Sequence, residues 1–192
     1  DLPIVGGSIL THDHFQGGRH TFPIEKAEVE QVYRHQTRED ITLELVNWPM
    51  SVIRLRAFND TLLLEAANDI YEAWKVYSDE AVDIIASTPD EAGNPVRHNT
   101  VTPIVRRRGE QYEMDLVLRN NRTNEQHPDG IFHPHREMHH IKRENIGLIE
   151  VMGLAILPGR LKDELDQIGS ILSGNTALLE QLRTEPAHPL AQ

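Results

Sequence analysis

Between residues 41 and 58 apolar and polar positions alternate. Ile41, Leu43 and Leu45 fall on one side of an extended segment. Residues 51–58 (Ser-Val-Ile-Arg-Leu-Arg-Ala-Phe) resume the pattern after a junction at Trp48 and Pro49. A period of two sends successive side chains to opposite faces, so both segments read as strands. The period then lengthens. Leu63, Ala67, Ile70, Trp74 and Tyr77 recur at helical spacing behind Asp60, the expected cap, and Trp74 and Tyr77 read as core. A second helical piece is expected over residues 79–87, then a polar loop over 88–99 containing Pro89, Gly93 and Pro95. Strands over 101–108 and 111–119 meet at a tight turn at Gly109. Residues 120–141 form a polar, His-rich loop or strand edge. The apolar run 146–157, interrupted by Glu150 and Gly153, predicts a buried strand. Pro158 opens a helix carrying Leu161, Leu165, Ile168 and Leu172, a shorter helix spans 174–183, and the tail from Glu185 is expected to be loose. Hairpin strands with separate helices predict an α+β fold: a mostly antiparallel sheet with packed helices.

Composition narrows the picture. A chain of 192 residues, 39% hydrophobic and 26% charged, fits one globular domain, or one with extensions, and is long enough to bury a core. The net charge of −11 argues against nucleic-acid or anionic-membrane partners, since phosphates repel such a surface. The absence of cysteine excludes disulfides, thiolate nucleophiles and Cys-ligated zinc within this chain, and fits a cytoplasmic setting. No apolar run reaches the roughly 20 residues of a membrane span, and no basic-then-apolar signal precedes one.

The sharpest chemistry lies at residues 8–23. His12, His14 and Gln16 are spaced by two, so an extended backbone would line one wall with two imidazoles and a carboxamide. Gly17 and Gly18 follow and let a ligand come close. A nucleophilic histidine beside a neutral hydrogen-bond donor suits attack on a phosphoryl group, so the segment reads as a nucleotidyl-transfer site. It falls within a dozen residues of a start that lacks Met, which predicts the C-terminal part of a longer protein. Residues 1–11 read as a short strand and turn running into this segment.

Two more groups carry candidate chemistry. Arg119 and Arg122 flank Asn120-Asn121 and suit a phosphate or uridine, because a guanidinium fork matches phosphate oxygens. Arg106, Arg107 and Arg108 read as ordinary strand-end charge. Five of the eleven histidines fall between His127 and His140, and His133-x-His135 on an extended segment could present two imidazoles to one metal. The bland alternative is phosphate or sugar contact, or a polar edge. His139 and His140 would point to opposite faces, so at most one would join such a site.

His12-Asp13-His14-Phe15-Gln16-Gly17-Gly18-Arg19-His20-Thr21-Phe22-Pro23 resembles the hexose-1-phosphate uridylyltransferases, and more narrowly their second, bacterial class. Two blocks in the same order support it: Arg119-Asn120-Asn121-Arg122-Thr123, and the run from Phe132-His133-Pro134-His135 to Glu144-Asn145-Ile146-Gly147-Leu148-Ile149-Glu150-Val151-Met152-Gly153. The resemblance implies that residues 1–23 end an N-terminal catalytic domain and 24–192 form the C-terminal domain, with a histidine-triad-like architecture, a covalent uridylyl intermediate on His14, and Gln16 as donor to the phosphoryl oxygens. It implies transfer of UMP from UDP-glucose to galactose 1-phosphate in galactose metabolism, with UDP-glucose, UDP-galactose and hexose 1-phosphates as ligands. It also implies a homodimer and a companion N-terminal part of the same enzyme, without which this portion is expected to be inactive.

No cofactor is implied for the chemistry. A structural divalent metal, zinc or iron, is suggested by position at His133 and His135, with His127 as third ligand and Glu28 or Glu30 as carboxylate. His12 is left three roles: orienting His14, contacting a phosphate or ligating a metal. The competing readings are a related nucleotide-sugar phosphorylase or hydrolase, and a non-catalytic metal- or nucleotide-sugar-binding module.

Overall fold

The structure, a computed structural model, describes residue 2, residues 15–139, residue 141 and residues 147–184. Five strands build one antiparallel sheet: β1 (Val29–Arg34), β2 (Thr42–Val46), β3 (Val52–Ala57), β6 (Asn99–Arg108) and β7 (Gln111–Asn120), in the order β1-β2-β3-β7-β6. Two three-residue strands, β4 (Ser87–Pro89) and β5 (Pro95–Arg97), form a separate hairpin. The helices are α1 (Asp60–Val76), the one-turn α2 (Leu148–Val151), α3 (Arg160–Leu172) and α4 (Thr176–Arg183). The α+β architecture with a mostly antiparallel sheet is as the hydrophobic pattern predicts. Among the described residues no helix is long and apolar enough to cross a membrane.

Both faces of the sheet are covered. Helix α1 lies on one, where Leu63, Ala66 and Ala67 pack with Ile41, Leu55, Ala57, Met114 and Leu116. The cap is Asn59, not Asp60: the Asn59 side chain accepts from the Leu62 N–H at 3.0 Å. Its far end is Trp74, whose indole donates to the carbonyls of Thr100 (2.9 Å) and Arg119 (3.1 Å). Tyr77, expected in the core, is instead the C-cap and half exposed, stacked on Trp74.

The opposite face is covered by a 3₁₀ turn, Pro23–Lys26, and by α2. Ile24, Val46, Val52, Val117, Val151 and Met152 form this second cluster, edged by Phe22 and Trp48. Complete burial of Ile24 contributes about 1.5–3 kcal/mol by area alone. Gly153 closes the layer with φ +97°, and an added Cβ would lie 2.7 Å from the Trp48 ring and 2.9 Å from Pro23.

Several local expectations are corrected. Residues 79–87 are not helical: a short 3₁₀ turn, Glu80–Val82, ends at Asp83 with φ +60°, and Ser87 already belongs to β4. The 88–99 loop contains the β4–β5 hairpin, whose turn Asp90 holds by accepting from the Ala92 and Asn94 amides. The buried strand expected over 146–157 is, where described, the helical turn α2, because its apolar residues pack down from one side of a turn instead of alternating. Strand β1, which the pattern did not single out, is an exposed edge, and its weak periodicity reflects that exposure. The 1–11 strand and the tail lie outside the described residues.

Candidate phosphate-facing strand end

Alternation along β7 puts Glu113, Asp115, Val117 and Arg119 on the face opposite α1. The two acids are completely buried and surrounded by arginines. Arg54 meets Asp115 at 2.6 Å, and Arg56, Arg106 and Arg108 all reach Glu113 at 2.5–2.7 Å. Arg106 also pairs with Asp115, and Arg56 holds Glu44 at 3.0 Å. Burial pushes the Glu113 carboxyl up. The Arg108 hydrogen bond, the Arg106 charge, the Arg56 hydrogen bond and the Arg54 charge outweigh it and bring the group to about 2.

Arg106 and Arg108 are therefore parts of an internal charge network, not the strand-end charge expected. Two of its guanidinium groups reach out of the sheet: Arg54 Nη2 donates to the Ile24 carbonyl at 2.7 Å, and Arg108 Nη2 to that of Glu25 at 2.8 Å. The turn that follows the His-x-His-x-Gln segment is thus fastened by charge as well as by Ile24.

Beyond Val117 the network stops, and β7 ends at the Arg-Asn-Asn-Arg block. Asn120 is occupied by the fold. Its amide donates to the carbonyl of Ile85 (3.0 Å) and to Asn99 Oδ1 (2.6 Å), and its own oxygen accepts the Arg122 N–H (3.0 Å). Arg122 is paired through one end of its guanidinium, donating through Nη2 to the Asp83 carbonyl at 2.6 Å and facing its carboxylate at 3.3 Å, while its Nε is buried with no partner among the described residues. Arg119 differs. Its guanidinium makes no ion pair or hydrogen bond among the described residues, and its Nη1 is buried with no partner. Burial pulls its pKa down.

Beside this block sits His98, which no sequence signal singled out. Its Nε2 is 2.8 Å from Thr88 Oγ1 and its Nδ1 is 3.3 Å from Asn121 Oδ1. Burial pushes its pKa down; the Asn121 hydrogen bond opposes this and the Arg122 charge adds to it. It is a strut joining the β4–β5 hairpin to the strand end.

The other predicted residues are not brought to this block by any described contact. His12 and His14 lie outside the described residues. Gln16, Gly17 and Gly18 are exposed, and no atom lies within 4 Å of a Cβ built on either glycine. His127 and His135 do meet: their rings stack at 4.1 Å, beside a shallow cleft of about 100 Å³ lined also by Asp129, Gly130 and Arg136. His133 goes elsewhere. Its Nδ1 and the Nε2 of His139 each lie 3.0 Å from the Pro134 carbonyl. Among the described residues no group of three or more His, Asp or Glu side chains is arranged to hold a metal ion. Stacked rings, with the third imidazole turned to a carbonyl, do not form the converging donor set that a divalent metal requires, so His127, His133 and His135 as placed do not fit one.

Fold and site together define an α+β domain whose strand end carries a guanidinium with no ion pair among the described residues. The family model for the C-terminal domain of galactose-1-phosphate uridyl transferase matches residues 3–178, and the chain belongs to that family. It is 55% identical over 196 residues to the galactose-1-phosphate uridylyltransferase of Halalkalibacterium halodurans, covering 100% of this chain and 38% of that protein. Against the Bacillus subtilis protein of the same name identity is 60% over 172 residues, covering 90% of this chain and 33% of the relative. Against that of Clostridium acetobutylicum it is 61% over 165 residues, with 86% and 32% covered. The chain thus spans about a third to two fifths of the length of these curated relatives. No solved structure matches it significantly.

Proposed function

We propose that this chain supplies part of a galactose-1-phosphate uridylyltransferase and carries its nucleophile. The reading rests on one observation: a chain in this family keeps His12-x-His14-x-Gln16 and then enters a turn that two buried-network arginines hold by its carbonyls. A neutral imidazole nitrogen of His14 attacks the α-phosphorus of UDP-glucose. A P–N bond forms, and the P–O bond to glucose 1-phosphate breaks. A phosphate oxygen of galactose 1-phosphate then attacks the same phosphorus and releases the imidazole.

The Gln16 amide donates to the phosphoryl oxygens without protonating the nucleophile, and Gly17 and Gly18 leave room for the substrate. His12, two residues before the nucleophile in sequence, orients His14, contacts a phosphate or ligates a metal. Arg119, Asn120 and Arg122 form the substrate-side strand end, with hexose 1-phosphates and UDP-sugars as ligands. The remaining contacts come from the part of the relatives' length that lies outside the match, and the enzyme pairs as a homodimer.

The test is covalent labelling. An enzyme of the relatives' full length, incubated with UDP-glucose labelled in its uridine, should take up acid-labile label that galactose 1-phosphate discharges. His14→Ala should take up none, and a labelled, active alanine variant would overturn the assignment.

A further inference from the structure

We infer that Arg119 is a phosphate seat, and that it is the member of the Arg-Asn-Asn-Arg block that meets the ligand directly. The inference rests on the uridylyltransferase reading and divides the labour within it.

The argument is one of charge. On the same sheet face Arg54, Arg56, Arg106 and Arg108 each hold a buried carboxylate. Arg119 holds none. The nearest acid of its own strand on that face, Asp115, lies four residues back, about 13 Å along an extended strand, and is already paired twice. Val117 occupies the position between and belongs to the apolar cluster. Arg119 therefore bears a partly desolvated charge with a buried, unpartnered Nη1. An arginine taken from water without a counter-ion costs several kcal/mol, and structural arginines avoid that by pairing.

Its backbone is fixed in place. The Trp74 indole holds the Arg119 carbonyl, and strand register sets Arg119 against Thr100 and Asn120 against Asn99. The side chain is thus presented from a rigid strand end. Asn120 and Arg122, turned to Ile85, Asn99 and Asp83, make that end rigid. The chemistry that answers an unpaired guanidinium fork is a phosphoryl group with two or more oxygens. Uracil offers only neutral carbonyls and does not compensate the charge.

Binding without turnover tests this. The full-length enzyme is titrated separately with glucose 1-phosphate, UMP and uridine, as wild type and as Arg119→Gln, Arg119→Met and Arg119→Lys. Arg119→Gln should weaken glucose 1-phosphate, UMP or both by about tenfold or more and leave uridine unchanged, with partial recovery in Arg119→Lys. Loss confined to glucose 1-phosphate places the seat at the sugar phosphate, and loss confined to UMP places it at the α-phosphate. Arg119→Met removes an uncompensated charge, so its thermal midpoint should equal or exceed that of the parent.

Uniform weakening of all three ligands, loss for uridine alone, unchanged binding, or a lower midpoint in Arg119→Met would each overturn the proposal. His14 labelling is read in parallel. If labelling fails while the Arg119 phosphate dependence persists, the functional reading falls and the phosphate seat stands.

Discussion

Arg54 grips Asp115 through two parallel hydrogen bonds, Nε to Oδ1 at 2.6 Å and Nη2 to Oδ2 at 3.1 Å, with both side chains shielded from water. The same Nη2 reaches the Ile24 carbonyl, so one guanidinium joins β3, β7 and the turn on the second face. Arg54→Met strands part of the Asp115 charge and frees that carbonyl. Breaking a buried pair from one side costs about 3–5 kcal/mol, tempered here because Arg106 still faces Asp115. Arg54→Lys should fail nearly as badly, since an ammonium has no fork to span both acceptors. Urea unfolding of the variants measures this, and a loss below about 1 kcal/mol would contradict it.

Glu113 sets an acid limit. Its carboxyl titrates near 2 in the folded protein against an ordinary 4.5, so the folded state binds fewer protons than the unfolded state between those values. The contribution is fully present above about pH 5 and drains away as pH falls through 4.5 towards 2, on the order of 3 kcal/mol in all. Urea midpoints measured from pH 6 down to pH 2.5 should trace this decline, and Glu113→Gln should flatten it while lowering stability at neutral pH.

Gly153 tolerates no side chain. With φ +97° and a virtual Cβ 2.7 Å from Trp48, Gly153→Ala is strained in backbone and packing together, a loss of about 2–4 kcal/mol. Gly17→Ala, where the added Cβ meets nothing within 4 Å, should leave thermal stability unchanged. Parallel thermal melts decide it; equal losses at the two sites would contradict the packing described.

The cap of α1 discriminates between neighbours. Asn59→Ala removes the acceptor for the Leu62 N–H and should cost about 1 kcal/mol. Asp60→Ala removes a first-turn charge and a long contact from the Thr61 hydroxyl (3.4 Å), with no backbone N–H left uncapped, and should cost about 0.3–1 kcal/mol. Chemical denaturation of the pair settles the order.

The α1 side of the sheet was legible because its signal is a simple one. Ile41, Leu43 and Leu55 alternate, Leu63 and Ala67 follow at helical spacing, and all meet in one cluster. The other face was misread for a physical reason. Glu44, Arg54, Arg56, Arg106, Glu113 and Asp115 look like solvent-facing positions, and a linear pattern cannot tell a hydrated charge from one neutralised across the strands. The cover on that face comes from Ile24 and Val151, far apart in sequence. The candidate site was legible in the same divided way. The Arg-Asn-Asn-Arg block announced itself by composition, but the separation of Arg119 from Asn120 and Arg122 depends on Ile85 and Asp83, which no motif ties to it. His98 carried no local signal, since its partners Thr88 and Asn121 come from the hairpin and the strand end.

The strand order β1-β2-β3-β7-β6 also imposes a timetable. The inner edge of β3 pairs with β7, which begins more than 50 residues after Ala57. A ribosome adding about 5–20 residues per second leaves that edge waiting for roughly 3–10 s. During that interval Val52–Ala57 is an open template for a neighbouring nascent chain. Helix α1, complete by Val76, is the first element able to shield the finished half-sheet. The arginines of β3 have no acids to meet until β7 emerges, so the charges that lock the mature domain also keep its unfinished edge soluble.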